Sequence, residues 1–296
     1  MILVTGASGA NGNGSQAVKL LAKQGQKVRV MARTPEKVAE LAALPGVEVV
    51  QGDFSQPESL AAAFSGIDKL YLISGNDPHL VEHQTELLEV AKKAGIKHIV
   101  RFSVYGLGPD STVSFLRWHY EADQQLIQSG LPYTILRPNA FMQNLVSSYT
   151  QAIMQYGAVD LPTYDGKISF VDCRDIAEVA VDCLTQEGHE GKIYELTGAE
   201  AITLGYLVEK LSVALDKPIA YYPAEFDKYQ QNLLGYGVPE WLAHDLAELD
   251  RLYSLGEGKA VTTTIQDIIK RPPRTIKDFA RDYAPVFKGE SPAPLG

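Results

Sequence analysis

Three glycines at a fixed interval constrain this chain more than any other feature. Gly6, Gly9 and Gly12 stand in Thr5-Gly6-Ala7-Ser8-Gly9-Ala10-Asn11-Gly12, a G-x-x-G-x-x-G run. The run follows the apolar stretch Ile2-Leu3-Val4. It precedes a segment with apolar side chains at Ala17, Leu20 and Leu21, the spacing of a helix. A strand, a glycine turn and a helix in direct succession leave backbone N–H groups and a helix N-terminus open to a pyrophosphate, with no Cβ in the way. The run therefore predicts a dinucleotide site made by Gly6, Ser8, Gly9, Ala10, Asn11 and Gly12. The alternative is a glycine-rich turn with no ligand. Asn13-Gly14 reads as added flexibility, without chemistry of its own.

The rest of the first half keeps the strand-then-helix alternation. Strands are expected at 27–32, 47–50, 70–73, 99–102 and 133–136. Helices are expected at 36–44 (Thr34 as cap, Pro35 first), 57–64, 83–94 (closed by Gly95) and 121–128 (stopped by Gly130). That order predicts an α/β fold, a doubly wound parallel sheet of Rossmann type covered on both faces. The second half is less regular, with helices at 175–184 (Asp175 as cap), 204–215 and 239–255 and a strand at 194–196. The expected organisation is a dinucleotide-binding domain over 1–150, returns to its sheet from about 165–200, a smaller and mainly helical lobe over 151–288, and a flexible tail over 289–296.

In such sheets ligands bind at the carboxyl ends of the strands. The second strand ends at Arg33, with Lys37 one helical turn beyond, where a site for NAD(H) would usually place Asp or Glu. Two cations there suit a 2′-phosphate, so NADP(H) is expected over NAD(H). Asp53 and Phe54 end the third strand and are candidates for the adenine; a turn aspartate is the plainer role. Ser74, Gly75 and Ser103 lie at the next two strand ends on the same edge.

The net charge of −9 excludes a chain built for nucleic acid or an anionic membrane. The charge is divided unevenly: residues 1–150 are net zero, and the whole excess lies in 151–296. An acidic second lobe suits a neutral or cationic small molecule. Two cysteines, Cys173 and Cys183, are too few for a disulfide framework or a thiolate zinc site, and both read as packing thiols. The chain opens without a basic n-region or a long apolar run, so a cytoplasmic setting is expected.

Larger stretches resemble the NmrA-like branch of the atypical short-chain dehydrogenases. They are the Thr5-Gly6-Ala7-Ser8-Gly9 opening, the Arg33 strand end, Gly52-Asp53, Ala94-Gly95-Ile96-Lys97-His98-Ile99-Val100, Arg271-Pro272-Pro273-Arg274-Thr275-Ile276, and above all the segment from Ser129 through Arg137-Pro138-Asn139-Ala140-Phe141-Met142-Gln143 to Asn144. Within that branch the chain looks most like the bacterial NADPH:quinone oxidoreductases and triphenylmethane-dye reductases. The resemblance implies that the backbone from Pro138 and Asn139 to Phe141 meets the nicotinamide, and that Phe141, Met142 and Asn144 face a substrate cleft between the lobes.

Many short-chain dehydrogenases use a Tyr-x-x-x-Lys pair, in which the lysine lowers the tyrosine pKa. The literal match here, Tyr206 and Lys210, lies in a second-lobe helix far from the cofactor strands. In the helix before the sixth strand, the place for an active pair, Tyr120 is followed by Gln124, and Asp123 replaces the glutamate the family often shows after His119. His119 is a candidate proton relay, against a structural hydrogen bond; His83 is a candidate neighbour of the nicotinamide. His79-Leu80-Val81-Glu82-His83 matches an inverted zinc-peptidase pattern, but no third ligand is evident and no metal is expected. Tyr149, Tyr156, Tyr221, Tyr222, Tyr229, Tyr236 and Trp241 make the second lobe aromatic, either for packing or to line a pocket for flat acceptors. The expected function is hydride transfer from NADPH to a quinone, dye or other conjugated acceptor. The rival is a non-catalytic redox sensor acting through protein partners.

Overall fold

The short apolar runs pair into one sheet in the computed structural model, which describes residues 1–290. The strands are β1 (Ile2–Thr5), β2 (Val28–Ala32), β3 (Val47–Gln51), β4 (Lys69–Leu72), β5 (His98–Phe102), β6 (Tyr133–Pro138) and β7 (Lys192–Leu196). Their order is β3-β2-β1-β4-β5-β6-β7, and every pairing is parallel. Every residue of β1 and β5 is buried, as strands covered on both faces must be. The order reverses between β1 and β4, so the glycine turn leaves β1 beside the point where such sheets bind ligands.

Twelve helices follow the chain among the described residues: α1 (Asn13–Lys23), α2 (Ala39–Ala42), α3 (Pro57–Phe64), α4 (Leu80–Ala94), α5 (Ser114–Gln128), α6 (Asn144–Tyr156), α7 (Cys173–Thr185), α8 (Leu204–Leu215), α9 (Phe226–Gly235), α10 (Glu240–Ser254), α11 (Thr264–Ile269) and α12 (Ile276–Phe287). One face of the sheet packs Val4, Val30 and Val100 against Val18 and Leu21 of α1, Ile176 and Ala180 of α7 and Ile265 of α11. The other packs Leu3, Leu70 and Ile135 against Leu60 of α3, Leu87 of α4 and Leu126 of α5. A separate core holds the second lobe together, with Leu145 and Ile153 of α6, Leu207 and Leu211 of α8, and Phe279 and Tyr283 of α12.

Several elements differ from expectation for visible reasons. The helix expected over 36–44 is a 3₁₀ turn, Pro35–Val38, followed by the single-turn α2. Pro45 and Gly46 end it, the glycine at φ +75°. Thr34 stands at the N-cap but makes no side-chain cap bond. Helix α5 starts at Ser114 rather than 121, because Phe115 and Leu116 bury a first turn in a small core with Val113. Helix α7 is capped by Asp172, which accepts from the Arg174 N–H; the expected cap, Asp175, is one turn inside and is held by Arg271 and Arg274. Helix α6 starts within the range assigned to the first domain yet packs on α12 in the second. Helices α7 and α11 and strand β7 return to the sheet. Cys173 and Cys183 are buried and unbridged, and burial pushes both thiols up, as packing thiols require. The flexible tail expected over 289–296 falls, from residue 291 onward, outside the described residues.

Candidate functional site

The glycine turn is built for close approach. Gly6 and Gly12 have φ of +67° and +73°, which L side chains rarely adopt. A Cβ on Gly14 would lie 2.7 Å from the Ala7 Cα and 2.9 Å from the Gly6 carbonyl, so this residue sets how near α1 comes to β1. Gly14 therefore has the packing role that its reading as a flexible spacer missed. Ser8, Gly9 and Ala10 are exposed at the tip of the turn, and Gly12 caps α1 without a side-chain bond. The first turn of α1 carries no acidic residue, which leaves its positive end free for an anion.

Residues from the neighbouring strands meet this turn. Lys37 lines a small pocket with Ser8, Gly9 and Ser15; Glu40, which lines it too, lies 3.7 Å from Lys19. Arg33 is exposed at the end of β2. The Asp53 carboxylate accepts from the N–H and hydroxyl of Ser55, and these bonds with the nearby Arg33 hold its pKa down. That is the geometry of a turn aspartate. Phe54 packs part of its ring on the core under β3. Gly75 is open to solvent, whereas the Ser74 hydroxyl is buried with no partner among the described residues. An orphaned hydroxyl at the switch-point edge is what a polar ligand would satisfy. The positive-φ turn, the uncapped helix end and this hydroxyl together fit a dinucleotide.

Beneath the edge, a polar network occupies the interior. Arg101 of β5 is fully buried and pairs with the fully buried Asp123 of α5. Gln84 accepts from Arg101 at 2.7 Å, and Arg137 and Ser103 donate to Asp123 at 3.0 and 3.1 Å. The Ser103 hydroxyl is thus spent inside the protein, not at the edge where it was expected. His119, 1% exposed, accepts at Nδ1 from Arg101 at 3.1 Å, which leaves its proton on Nε2, 3.3 Å from the Asn76 side-chain oxygen Oδ1. Burial, with Arg101 beside it, keeps the imidazole neutral. The geometry is that of a structural hydrogen bond. Asp123 in place of the family's glutamate is the hub of this network.

At the exit of β6 the chain crosses between the lobes. Pro138 and Asn139 are buried; Asn139 donates its side-chain amide to Ser169 at 2.8 Å and to the Gly258 carbonyl at 2.9 Å and its N–H to the Leu196 carbonyl at 3.0 Å, so its backbone carbonyl is what is left for a ligand. Phe141 bridges to Val171 and packs against Phe102, ring centroids 5.7 Å apart. Met142, expected to face substrate, is 3% exposed and belongs to the second core. Asn144 is exposed at the start of α6. Between them Gln143, not singled out from the sequence, accepts from the Cys173 N–H at 2.9 Å and donates to Asp172 at 2.8 Å and Tyr283 at 3.1 Å, tying the crossing to α7 and α12.

The other motifs have plain roles. His83 is half-buried, 3.9 Å from Asp77, and its ring packs against His79. Among the described residues no group of His, Cys, Asp and Glu could hold a metal ion. The Lys210 ammonium sits over the Tyr206 ring and pairs with Glu209 at 2.7 Å. Tyr156, Tyr222 and Tyr236 are exposed, and Trp241 packs against Trp118 of α5. Among the described residues no helix is long and apolar enough to cross a membrane.

Comparisons with known proteins agree with this geometry. The profile of a family described as NAD(P)H-binding matches residues 6–187. The chain is 37% identical to an NAD(P)H azoreductase of Xenophilus azovorans, over 97% of this chain and 99% of that one. It is 34% identical to a (4-alkanoyl-5-oxo-2,5-dihydrofuran-3-yl)methyl phosphate reductase of Streptomyces griseus, over 98% of this chain and 100% of that one. Its structure is similar to an NADPH-dependent quinone oxidoreductase of Escherichia coli solved with NADPH, with a TM-score of 0.84, 30% identity and coverage of 95% and 99%. It is also similar to a Citrobacter triphenylmethane reductase solved with NADP(H), with a TM-score of 0.83, 29% identity and coverage of 96% and 100%.

Proposed function

The chain belongs to the NAD(P)H-binding family, and from that premise we propose that it is an NADPH-dependent reductase of quinones, dyes or related conjugated acceptors. The observation that carries the reading is the glycine turn at the switch point, running into an uncapped α1 that is free of acidic residues in its first turn. The dinucleotide, when bound, supplies hydride. The residues proposed to hold it are Gly6, Ser8, Gly9, Ala10, Asn11 and Gly12, with Ser74, Gly75 and the backbone of Pro138 and Asn139. Asp53 and Phe54 stay proposed for the adenine side.

Arg33 and Lys37 support NADPH over NADH. Each charged hydrogen bond to a 2′-phosphate contributes about 1.5–3 kcal/mol, or roughly 10- to 150-fold in affinity. Arg33→Ala is expected to lower the NADPH-over-NADH affinity ratio about tenfold or more; an unchanged ratio counts against the preference. The acceptor is proposed to lie against Phe141 and Asn144, in a reducing, cytoplasmic setting. Conjugated acceptors need little acid catalysis, because the reduced product is already stabilised, so orientation supplies most of the acceleration. That suits a chain whose Tyr-x-x-x-Lys pair lies on the second-lobe helix α8. Glu195 and Glu257 near Tyr105, and the acidic second half, favour a neutral or cationic acceptor.

The test is NADPH oxidation with a panel of quinones, cationic dyes and an anionic enone phosphate. Turnover of the first two classes, with the phosphate slowest, is expected. Tight NADPH binding without turnover of any acceptor would favour the sensor reading instead.

A further inference from the structure

One buried amide joins the two proposed binding surfaces. Asn13 opens α1 directly after the glycine turn, and its N–H donates to the Asn11 side-chain oxygen at 3.2 Å. Its side chain is buried, 1% exposed. The Asn13 Oδ1 accepts from the Tyr71 hydroxyl of β4, and its Nδ2 donates to the Cys173 carbonyl at 3.3 Å. Cys173 lies 160 residues along the chain and opens α7. The spacer expected at Asn13 is thus a tie between two helix starts.

The α7 end of the tie leads to the crossing between the lobes. The Cys173 N–H donates to the Gln143 Oε1 at 2.9 Å. Two residues earlier, Val171 bridges to Phe141. Its N–H donates to the Ala140 carbonyl at 2.9 Å, and its carbonyl accepts from the Met142 N–H at 3.0 Å. Phe141 therefore sits on a short ladder whose other side runs straight into Cys173. Through Cys173, Asn13 connects that ladder with the turn proposed to hold the pyrophosphate.

Adhesion is not what this amide adds. Helices α1 and α7 already pack through Val18, Leu21, Ile176 and Ala180. Apolar burial is non-directional, and a buried hydrogen bond gives little net stability because bonds to water are given up for it. What a hydrogen bond does impose is distance and angle, here between the first residues of the two helices.

We propose that Asn13 is a positioning residue for hydride transfer, setting the glycine turn against the Phe141 ladder so that dinucleotide and acceptor meet at reacting distance. The inference rests on the reductase reading. A quinone gains a hydride from the nicotinamide and one proton from solvent to become a hydroquinone; Asn13 takes no part in either bond. Misplacing reactants by about 1 Å can cost roughly 100-fold in rate.

The test variant combines Asn13→Ala with Tyr71→Phe, so that no buried hydroxyl is orphaned. Tyr71→Phe alone, which keeps the bond to Cys173, is its reference. In a single turnover of NADPH-loaded protein with a quinone, the hydride-transfer rate constant should fall about tenfold or more, with NADPH affinity and reaction amplitude held. A protein that is only destabilised loses amplitude and keeps the rate constant of its folded fraction. In the cofactor-free protein, hydrogen exchange should quicken at the Met142, Val171 and Cys173 N–H groups and stay unchanged in α8. A rate constant equal to the reference, or exchange quickened equally in α8, overturns the positioning role and leaves the reductase standing. A wild type that oxidises no NADPH with any acceptor overturns both.

Discussion

Asp123 and Asp250 are both buried carboxyls, and their surroundings make them opposites. Asp123 is met by Arg101, Arg137 and Ser103, so its charge is matched. Removing that charge strands Arg101 in the interior. Asp123→Asn should cost about 3–5 kcal/mol, read as a drop in denaturation midpoint. Asp250, buried on α10, has Tyr149, Tyr229 and Tyr253 near it where Asp123 has arginines. Its folded pKa of about 7 lies above the ordinary 3.8, so the native state holds a proton that the unfolded chain releases. Its contribution to stability is therefore present below about pH 4 and is lost as pH rises through about 7. Comparing melting temperatures at pH 5 and pH 8 should show wild type losing more on the alkaline side than Asp250→Asn. An equal loss in both would mean that Asp250 is already ionised in the fold. Neither behaviour was legible in the sequence, because an aspartate's neighbours come from distant segments.

At the scale of elements, what the sequence announced was local. Strand, glycine turn and helix were readable at the start of the chain because the turn needs positive φ at Gly6 and Gly12. Helix α8 was readable at its observed limits, since Thr203 caps it and the apolar spacing is regular. Helices α6, α9, α11 and α12 were not, although α12 carries a capping box of Thr275 and Asp278 before an apolar stripe. That pattern was available as a signal; the Gln143 and α10 contacts were not, since they depend on chain crossings. Gly14 shows the same limit, because its role depends on the approach of α1 to Ala7. Gly14→Ala forces backbone apart, so it should cost about 1–3 kcal/mol and weaken NADPH binding in a fluorescence titration. Unchanged affinity would show that the turn tolerates a displaced α1.

For the whole molecule, the uneven charge has a structural counterpart. The half that carries the glycine turn is net zero and keeps Arg33 and Lys37 exposed; the half that closes over the β6 exit carries the excess of −9. If that field selects acceptors, kcat/KM for a cationic dye should fall with added salt while that for a neutral quinone holds. Equal salt dependence for both would assign the charge to solubility alone. The central claim is that this arrangement transfers hydride rather than only holding a dinucleotide. The most direct measurement is a single-turnover mix of the NADPH-loaded protein with a quinone, following NADPH absorbance with either hydrogen or deuterium at the transferred nicotinamide position. The account predicts decay of the absorbance, slowed by deuterium. Absorbance that persists with NADPH bound and quinone present would contradict it.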